Sequence, residues 1–142
     1  MMLSILLALN LGCGTSVQVT ANMPARDATP AQLIPKQVEG LSLGETREVV
    51  GIWVIGAEMG ARGMYLDKMG TEFRIEIYRF PSQEDAEKRI FGMKHDILLH
   101  EKLLEEDQVV VFSSGVFLFA IWGRSADFVE EIARATGFYR AS

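Results

Sequence analysis

The chain has 142 residues, of which 49% are apolar and 23% charged, with two histidines and one cysteine. This length fits one domain, the apolar fraction excludes a wholly disordered chain, and a lone cysteine excludes a disulfide scaffold. The net charge of −5 provides no basic footprint for a polyanion, so we expect no nucleic-acid partner.

The N-terminal region is apolar and uncharged. Residues 1–25 contain no charged side chain, and only Ser4 and Asn10 interrupt the apolar run over residues 1–11. A helix of that length spans about 16 Å, roughly half of a bilayer core. The run is too short for a conventional transmembrane helix and has the length of a signal-peptide hydrophobic region, so residues 1–12 are predicted as a signal peptide.

Gly12 and Cys13 follow this run directly. Here the chain resembles bacterial and archaeal lipoproteins, whose signal ends in an apolar and small-residue box before an invariant cysteine. Gly12 matches the small residue before that cysteine, whereas Asn10 and Leu11 depart from the box. The resemblance implies that Cys13 is joined to diacylglycerol and becomes the new N-terminus. It therefore implies a membrane partner through a lipid anchor, on the extracytoplasmic side of the cell membrane.

Two other interpretations of this region remain open. Val19 and Ala21 place small residues as in an A-x-A-like site, and cleavage after Ala21 would release a secreted protein. Alternatively, Cys13 is an ordinary buried thiol in an N-terminal core helix. Export is favoured, because the only cysteine of the chain lies where the lipoprotein pattern requires one.

Residues 13–40 are predicted to be the lipidated cysteine followed by a flexible tether. They contain all but one of the four prolines and show no sustained period of an amphipathic strand or helix. The alternative for residues 33–43 is an arm packed on the domain. Residues 41–142 are predicted to form a single domain.

The pattern of that domain alternates between strands and helices. Strands are predicted at 48–55, 63–67, 71–80, 108–112 and 116–122, and helices at 83–105 and 125–136. The longer helix carries one apolar stripe, made of Ala86, Ile90, Met93, Ile97 and Leu104. This order, β-β-β-α-β-β-α, predicts an α+β fold: an antiparallel sheet of about five strands with two helices on one face, ferredoxin-like or related.

A second resemblance involves Leu33, Pro35, Gly40, Glu45 and the segment 75–86. These positions are similar to a group of uncharacterised exported bacterial proteins, which open with a Leu-Pro segment and carry a strand followed by a Ser-x-x-x-Ala helix start. That group implies no chemistry for this chain.

Metal and phosphate sites find little support in the sequence. His95 and His100 lie about 140° apart around a helix and cannot ligate one metal as an i, i+4 pair would. Asp96 and His100 have that spacing, which suits half a metal site or a charge pair. The glycines at 56, 60 and 63 follow a predicted strand but lack the Gly-Lys-Ser/Thr of a phosphate loop. We expect no metal and no cofactor.

No catalytic constellation can be assembled either. A Gly-x-Ser-x-Gly motif is absent, and nothing in the spacing sets two carboxylates across a cleft. The carboxylates considered are Glu84, Asp85, Glu101, Glu105, Glu106 and Asp107. We therefore expect a protein that is not an enzyme.

The aromatic residues suit either a hydrophobic core, which is favoured, or an apolar pocket. They are Trp53, Tyr65, Tyr78, Phe117, Phe119 and Trp122. With both helices on one face, the other face of the sheet would be the place for a binding surface. The predicted function is a membrane-anchored extracytoplasmic lipoprotein of non-enzymatic role, and the alternative is a small-molecule or partner-binding module that uses the free face.

Overall fold

Five strands form one antiparallel sheet in the computed structural model, which describes residues 23–49, 55–100 and 108–140. The strands are β1 (Ser42–Glu48), β2 (Met59–Leu66), β3 (Glu72–Arg79), β4 (Gln108–Ser114) and β5 (Phe117–Gly123), and the helices are α1 (Gln83–His100) and α2 (Ala126–Ala135). The sheet order is β1-β2-β3-β5-β4. The α+β class and the order β-β-β-α-β-β-α are confirmed.

β3 and β5 lie next to each other at the centre of the sheet. β3 alternates apolar and polar residues along most of its length, and β5 is almost continuously apolar. β3 places Ile75 opposite Ile121 and Ile77 opposite Phe119 of β5, and all four side chains are buried. Every residue of β5 is buried, as expected of a strand that is covered on both faces.

Polar side chains cap both helices at their first turns. Ser82 Oγ accepts from the Asp85 amide at 3.1 Å, and Ser125 Oγ accepts from the Phe128 amide at 3.3 Å. α2 ends before Gly137, whose φ of +85° is a left-handed conformation that glycine adopts without strain.

The two helices lie on opposite faces of the sheet, so the expectation of both on one face is wrong. α2 buries Val129 and Ile132 in a core cluster with Phe119, whereas α1 buries Met93 in a second cluster with Leu118. Neighbouring residues of a strand point to opposite faces. Because β5 is apolar on both sides, each face needs a helix of its own.

The topology is related to the ferredoxin-like fold in one part only. β3 and β4 both run antiparallel to β5, which lies between them, and α1 connects them, as in a split β-α-β unit. In a ferredoxin-like fold both helices share one face, and here α2 crosses to the other.

The first strand of the sheet, β1, was not predicted from the sequence. The strand expected at 48–55 shares only Glu48 with it, and residues 50–54 lie outside the described part of the chain. β1 is an edge strand of mostly exposed polar residues, so it carries no apolar alternation by which to recognise it. Val49 and Ile55, on either side of 50–54, pack against the α1 cluster.

Residues 23–40 pack onto the domain, and over residues 33–40 this matches the alternative of an arm packed on the domain rather than a flexible tether. Ile34 and Val38 are buried in the core cluster of α2, and the Tyr65 hydroxyl donates to the Pro35 carbonyl at 2.6 Å. A 3₁₀ turn (Pro30–Leu33), capped by Thr29, precedes them. Packing of these few apolar residues orders a stretch without regular periodicity. Residues 13–22 of the expected tether lie outside the described residues.

Candidate functional site

Within the described residues, one half of one sheet face has no helix above it. On the α2 side, α2 packs on β3, β4 and β5, and the 3₁₀ turn packs on β1, β2 and β3. On the α1 side, α1 packs chiefly on β4 and β5. We call the remaining part, the α1 side of β1, β2 and the first half of β3, the open face. Its side chains are mostly charged: Ser42, Glu45, Arg47, Arg62, Met64, Leu66, Glu72 and Arg74.

A buried charged network borders the open face where it meets the core under α1. Glu76 is 5% exposed, and its Oε2 accepts from Arg62 Nε at 2.6 Å and also from Arg62 Nη2. Its Oε1 accepts from the Tyr78 hydroxyl at 2.5 Å. Both carboxylate oxygens therefore have partners, as a buried charge requires.

Tyr78 acts in this network as a hydrogen-bond donor. Burial raises the pKa of the Tyr78 phenol above its ordinary value, and the Glu76 carboxylate raises it further by its charge and its hydrogen bond. The charges of Arg62 and Arg89 act in the opposite direction on this pKa and are outweighed. The phenol stays protonated at neutral pH and fixes the carboxylate that holds Arg62.

Three arginines from three neighbouring strands surround a small recess on the open face. Arg47, Arg62 and Arg74 line it together with Glu45 and Met64, and its volume is about 50 Å³. Arg47 stands directly opposite Arg62 in the register of β1 and β2. Glu45 reaches the recess through a bulge in β1, where residues 44 and 45 together oppose Met64.

The three guanidinium groups differ in how they are paired. Arg62 is held by buried Glu76, whereas Arg74 pairs at 3.0 Å with Glu72, a side chain that is 51% exposed. Within the described residues, no ion pair or hydrogen bond joins the exposed Arg47 to another side chain. The recess thus contains an arginine held by a buried carboxylate (Arg62), an arginine in an exposed ion pair (Arg74) and an arginine without a hydrogen bond or ion pair to a side chain in the described part of the chain (Arg47).

A larger cleft of about 420 Å³ lies at the end of β3, lined by Arg26, Asp27, Glu58, Arg79, Phe80 and Val116. Its arginines already have structural partners. Arg26 donates to the Pro81 carbonyl at 2.6 Å, and Arg79 lies 3.4 Å from the Glu58 carboxylate and donates to the Ala28 carbonyl. These contacts tie the N-terminal segment to β3, so we assign this cleft a structural role.

The structure distributes the sequence-predicted site residues among different places. Cys13 lies outside the described residues. His95 is an exposed helix residue, 3.8 Å from the Asp96 carboxylate, and Asp96 accepts a hydrogen bond from Arg89. Among residues 23–49, 55–100 and 108–140, no group of three His, Cys, Asp or Glu side chains is placed to hold a metal ion.

The glycines considered for a phosphate loop do not form one loop. Gly60 and Gly63 lie inside β2, and Gly56, with a φ of +84°, occupies the turn before it. At Gly63 a Cβ would stand 3.0 Å from the Ile34 side chain, so this glycine serves close packing. Of the six aromatic residues, Trp53 lies outside the described part of the chain, and the other five are buried in the two core clusters.

Sequence reasoning missed the arginine recess. Arg47, Arg62 and Arg74 are separated along the chain and have no common motif, and only the pairing of β1 with β2 and of β2 with β3 brings them together. The signal that was present is the alternation of Glu72, Arg74 and Glu76 along β3, which marks one polar face.

Comparison with protein-family models, with curated proteins and with solved structures finds no match for the chain. Neither helix in the described part of the chain combines the length and the apolar character that crossing a bilayer demands.

Proposed function

We propose that the protein is a lipid-anchored extracytoplasmic protein without enzymatic activity, attached to the membrane through Cys13. The observation that carries the proposal is the uncharged apolar run that ends at Gly12 and Cys13. Pro24 is buried in the described domain. With Cys13 as the anchor, residues 13–24 could separate the domain from the bilayer by at most about 40 Å.

Metabolic labelling with a clickable fatty acid tests the anchor in a bacterial host that expresses the full chain. We expect the wild type to carry the label and to sediment with membranes, and Cys13→Ser to lose both properties. Ser16→Ala, three residues away, is the matched control and keeps them. Equal absence of label from the wild type and Cys13→Ser would refute the anchor, and an N-terminus at Asn22 would establish cleavage after Ala21.

The second candidate function is a small-molecule or partner-binding module that uses the open face. The observation that favours it is the recess between Arg47, Arg62 and Arg74, on a part of the sheet that neither α1 nor α2 covers. A ligand that binds only the folded state raises the melting temperature. We expect at least one anionic or small apolar compound of a thermal-shift screen to do so, and a screen without any stabilising compound would contradict this candidate.

A further inference from the structure

We propose that the recess of the open face binds a single small oxyanion, the phosphate or carboxylate group of a ligand, between Arg47, Arg62 and Arg74. The proposal names the ligand chemistry of the binding-module candidate and rests on that candidate.

The first argument is the charge of Arg47. Arg47 stands directly opposite Arg62, and like charges at opposed positions of an antiparallel pair destabilise each other. Glu76 offsets the charge of Arg62, but its two oxygens accept from Arg62 and Tyr78, so Arg47 is left without this partner. A bound anion between Arg47 and Arg62 would give the Arg47 guanidinium a directly paired negative group.

The second argument is preorganisation. Arg62 is held by a buried carboxylate, which is itself fixed by a buried tyrosine, so its guanidinium direction is set before any ligand arrives. The Nε and Nη2 edge of Arg62 is bound to Glu76, whereas the planar guanidinium forks of Arg47 and Arg74 match the oxygen geometry of phosphate and carboxylate groups. Lysines would offer no such fork, and all three positions are arginine.

The third argument concerns Arg74, whose partner Glu72 is half exposed. An exposed ion pair of this kind stabilises a protein little, so Arg74 can exchange Glu72 for a ligand oxygen at small expense. Met64 gives the recess an apolar wall beside the three cations. With a volume of about 50 Å³, the recess admits an anionic head group, and the rest of the ligand would extend over β1 and β2.

Glu45 sets a limit on affinity, because its carboxylate lines the same recess. Repulsion from Glu45 weakens the binding of any anion. Removal of its charge is therefore expected to strengthen binding, which tests the proposal by a gain of affinity. Glu45→Gln removes the charge and keeps the side-chain size, so it should tighten binding about threefold to tenfold. Glu72→Gln should also tighten binding, because it releases Arg74.

The experiment is an NMR titration of the full chain with inorganic phosphate, in which chloride keeps the ionic strength constant. We expect saturable shifts of the amide and arginine Nε–H signals at Arg47, Arg62 and Arg74. Arg47→Ala should weaken binding at least tenfold, and the matched control Arg140→Ala, an exposed arginine far along the chain, should leave it unchanged. A parallel titration with acetate compares the affinity of the recess for a carboxylate with its affinity for phosphate.

A further arm separates the two sources of a phosphate group. Vesicles of phosphatidylglycerol that bind the wild type and not Arg47→Ala identify a lipid head group, whereas saturation by phosphate without vesicle binding identifies a soluble ligand. Shifts that grow linearly and are indifferent to Arg47→Ala overturn the oxyanion proposal. A compound from the thermal-shift screen can then be titrated by NMR. If it changes the signals of open-face residues, the binding-module candidate is retained and only the oxyanion proposal is rejected.

Discussion

The α1 side of the sheet has two halves that differ in almost every property. Over β4 and β5 the surface is apolar, contributed by residues such as Leu118 and Trp122, and α1 covers it. Over β1, β2 and β3 the same face carries mostly charged side chains. On the α2 side, α2 contacts β3, β4 and β5, and the 3₁₀ turn of the N-terminal segment contacts β1, β2 and β3.

This difference separates what holds the fold together from what is left for binding. The covered regions contain the two hydrophobic clusters, and burial of their apolar side chains is the main favourable contribution to folding. The open face adds little apolar burial, yet it retains a buried ion pair at its border. A buried ion pair need not stabilise the fold, so we attribute to this pair the role of positioning Arg62.

The largest effect is expected in the covered core. Phe119 is fully buried and stacks on Phe112 with ring centroids 4.7 Å apart. Phe119→Ala should lower the free energy of unfolding by about 3–5 kcal/mol, because it removes a large buried ring and leaves a cavity. Urea unfolding followed by circular dichroism measures the change. Phe91→Ala, at a helix position that is 84% exposed, should stay within about 0.5 kcal/mol of wild type.

The next effect is expected at the border of the open face. Glu76→Ala should lower the free energy of unfolding by about 2–3 kcal/mol, because it removes the charged partner of Arg62 and the acceptor of Tyr78. The matched variant Glu72→Ala, on the same strand and face, removes only an exposed pair and should change stability by less than about 1 kcal/mol. Equal losses in the two variants would contradict the distinction between border and open surface.

Two buried tyrosines on opposite faces of the sheet should both make the protein less stable in alkali. Burial raises the pKa of Tyr65 and of Tyr78 above the usual value near 10. Above pH 10 the unfolded chain releases these protons and the folded chain keeps them. Stability is therefore fully present below pH 10 and falls by about 1.4 kcal/mol per pH unit for each tyrosine above it.

Urea titrations at several pH values from 9 to 11 measure this slope. Tyr65→Phe should remove about half of it, and it also deletes the hydrogen bond to Pro35, at about 1 kcal/mol below pH 10. A slope that persists unchanged in Tyr65→Phe would show that Tyr65 does not remain protonated in the fold.

The smallest effect concerns Gly92 in α1, where a Cβ would collide with the guanidinium of Arg89. That side chain runs along the helix to pair with Asp96. Gly92→Ala should therefore change stability by less than about 0.5 kcal/mol, because a gain in helix propensity of about 1 kcal/mol is offset by displacement of Arg89. In an Asp96→Ala background the pair is already lost, and the same substitution should stabilise by about 1 kcal/mol.

Local patterns in the sequence predict those elements whose burial repeats along the chain. β3 and the stripe of α1 over Ala86, Met93 and Ile97 follow the expected periods, and these three stripe residues are buried. β1 escapes prediction, because an exposed edge strand has no apolar face to reveal it. The side on which a helix packs also escapes, because it depends on the path of the chain after β5 rather than on the helix.

The candidate site could be predicted least of all. Charged residues on β1, β2 and β3 look like ordinary solvated side chains until the strands are paired. The bulge that brings Glu45 to the recess likewise depends on the register of β1 against β2. A site that is assembled across strands by their register leaves no spacing motif in the chain. Arg47 and Arg62 therefore cannot be recognised as site residues from the sequence alone.

The openness of this half of the sheet is tested most directly by methionine-methyl NMR with a soluble gadolinium chelate. Met64 lies on the open face, Met93 is a residue of α1 that is buried in the α1 cluster and 5% exposed, and Met69 in a turn is 89% exposed. We predict paramagnetic relaxation of the three methyl groups in the order Met69, Met64, Met93, with Met64 clearly above Met93. Protection of Met64 equal to that of Met93 would mean that this face is covered, and it would contradict the account.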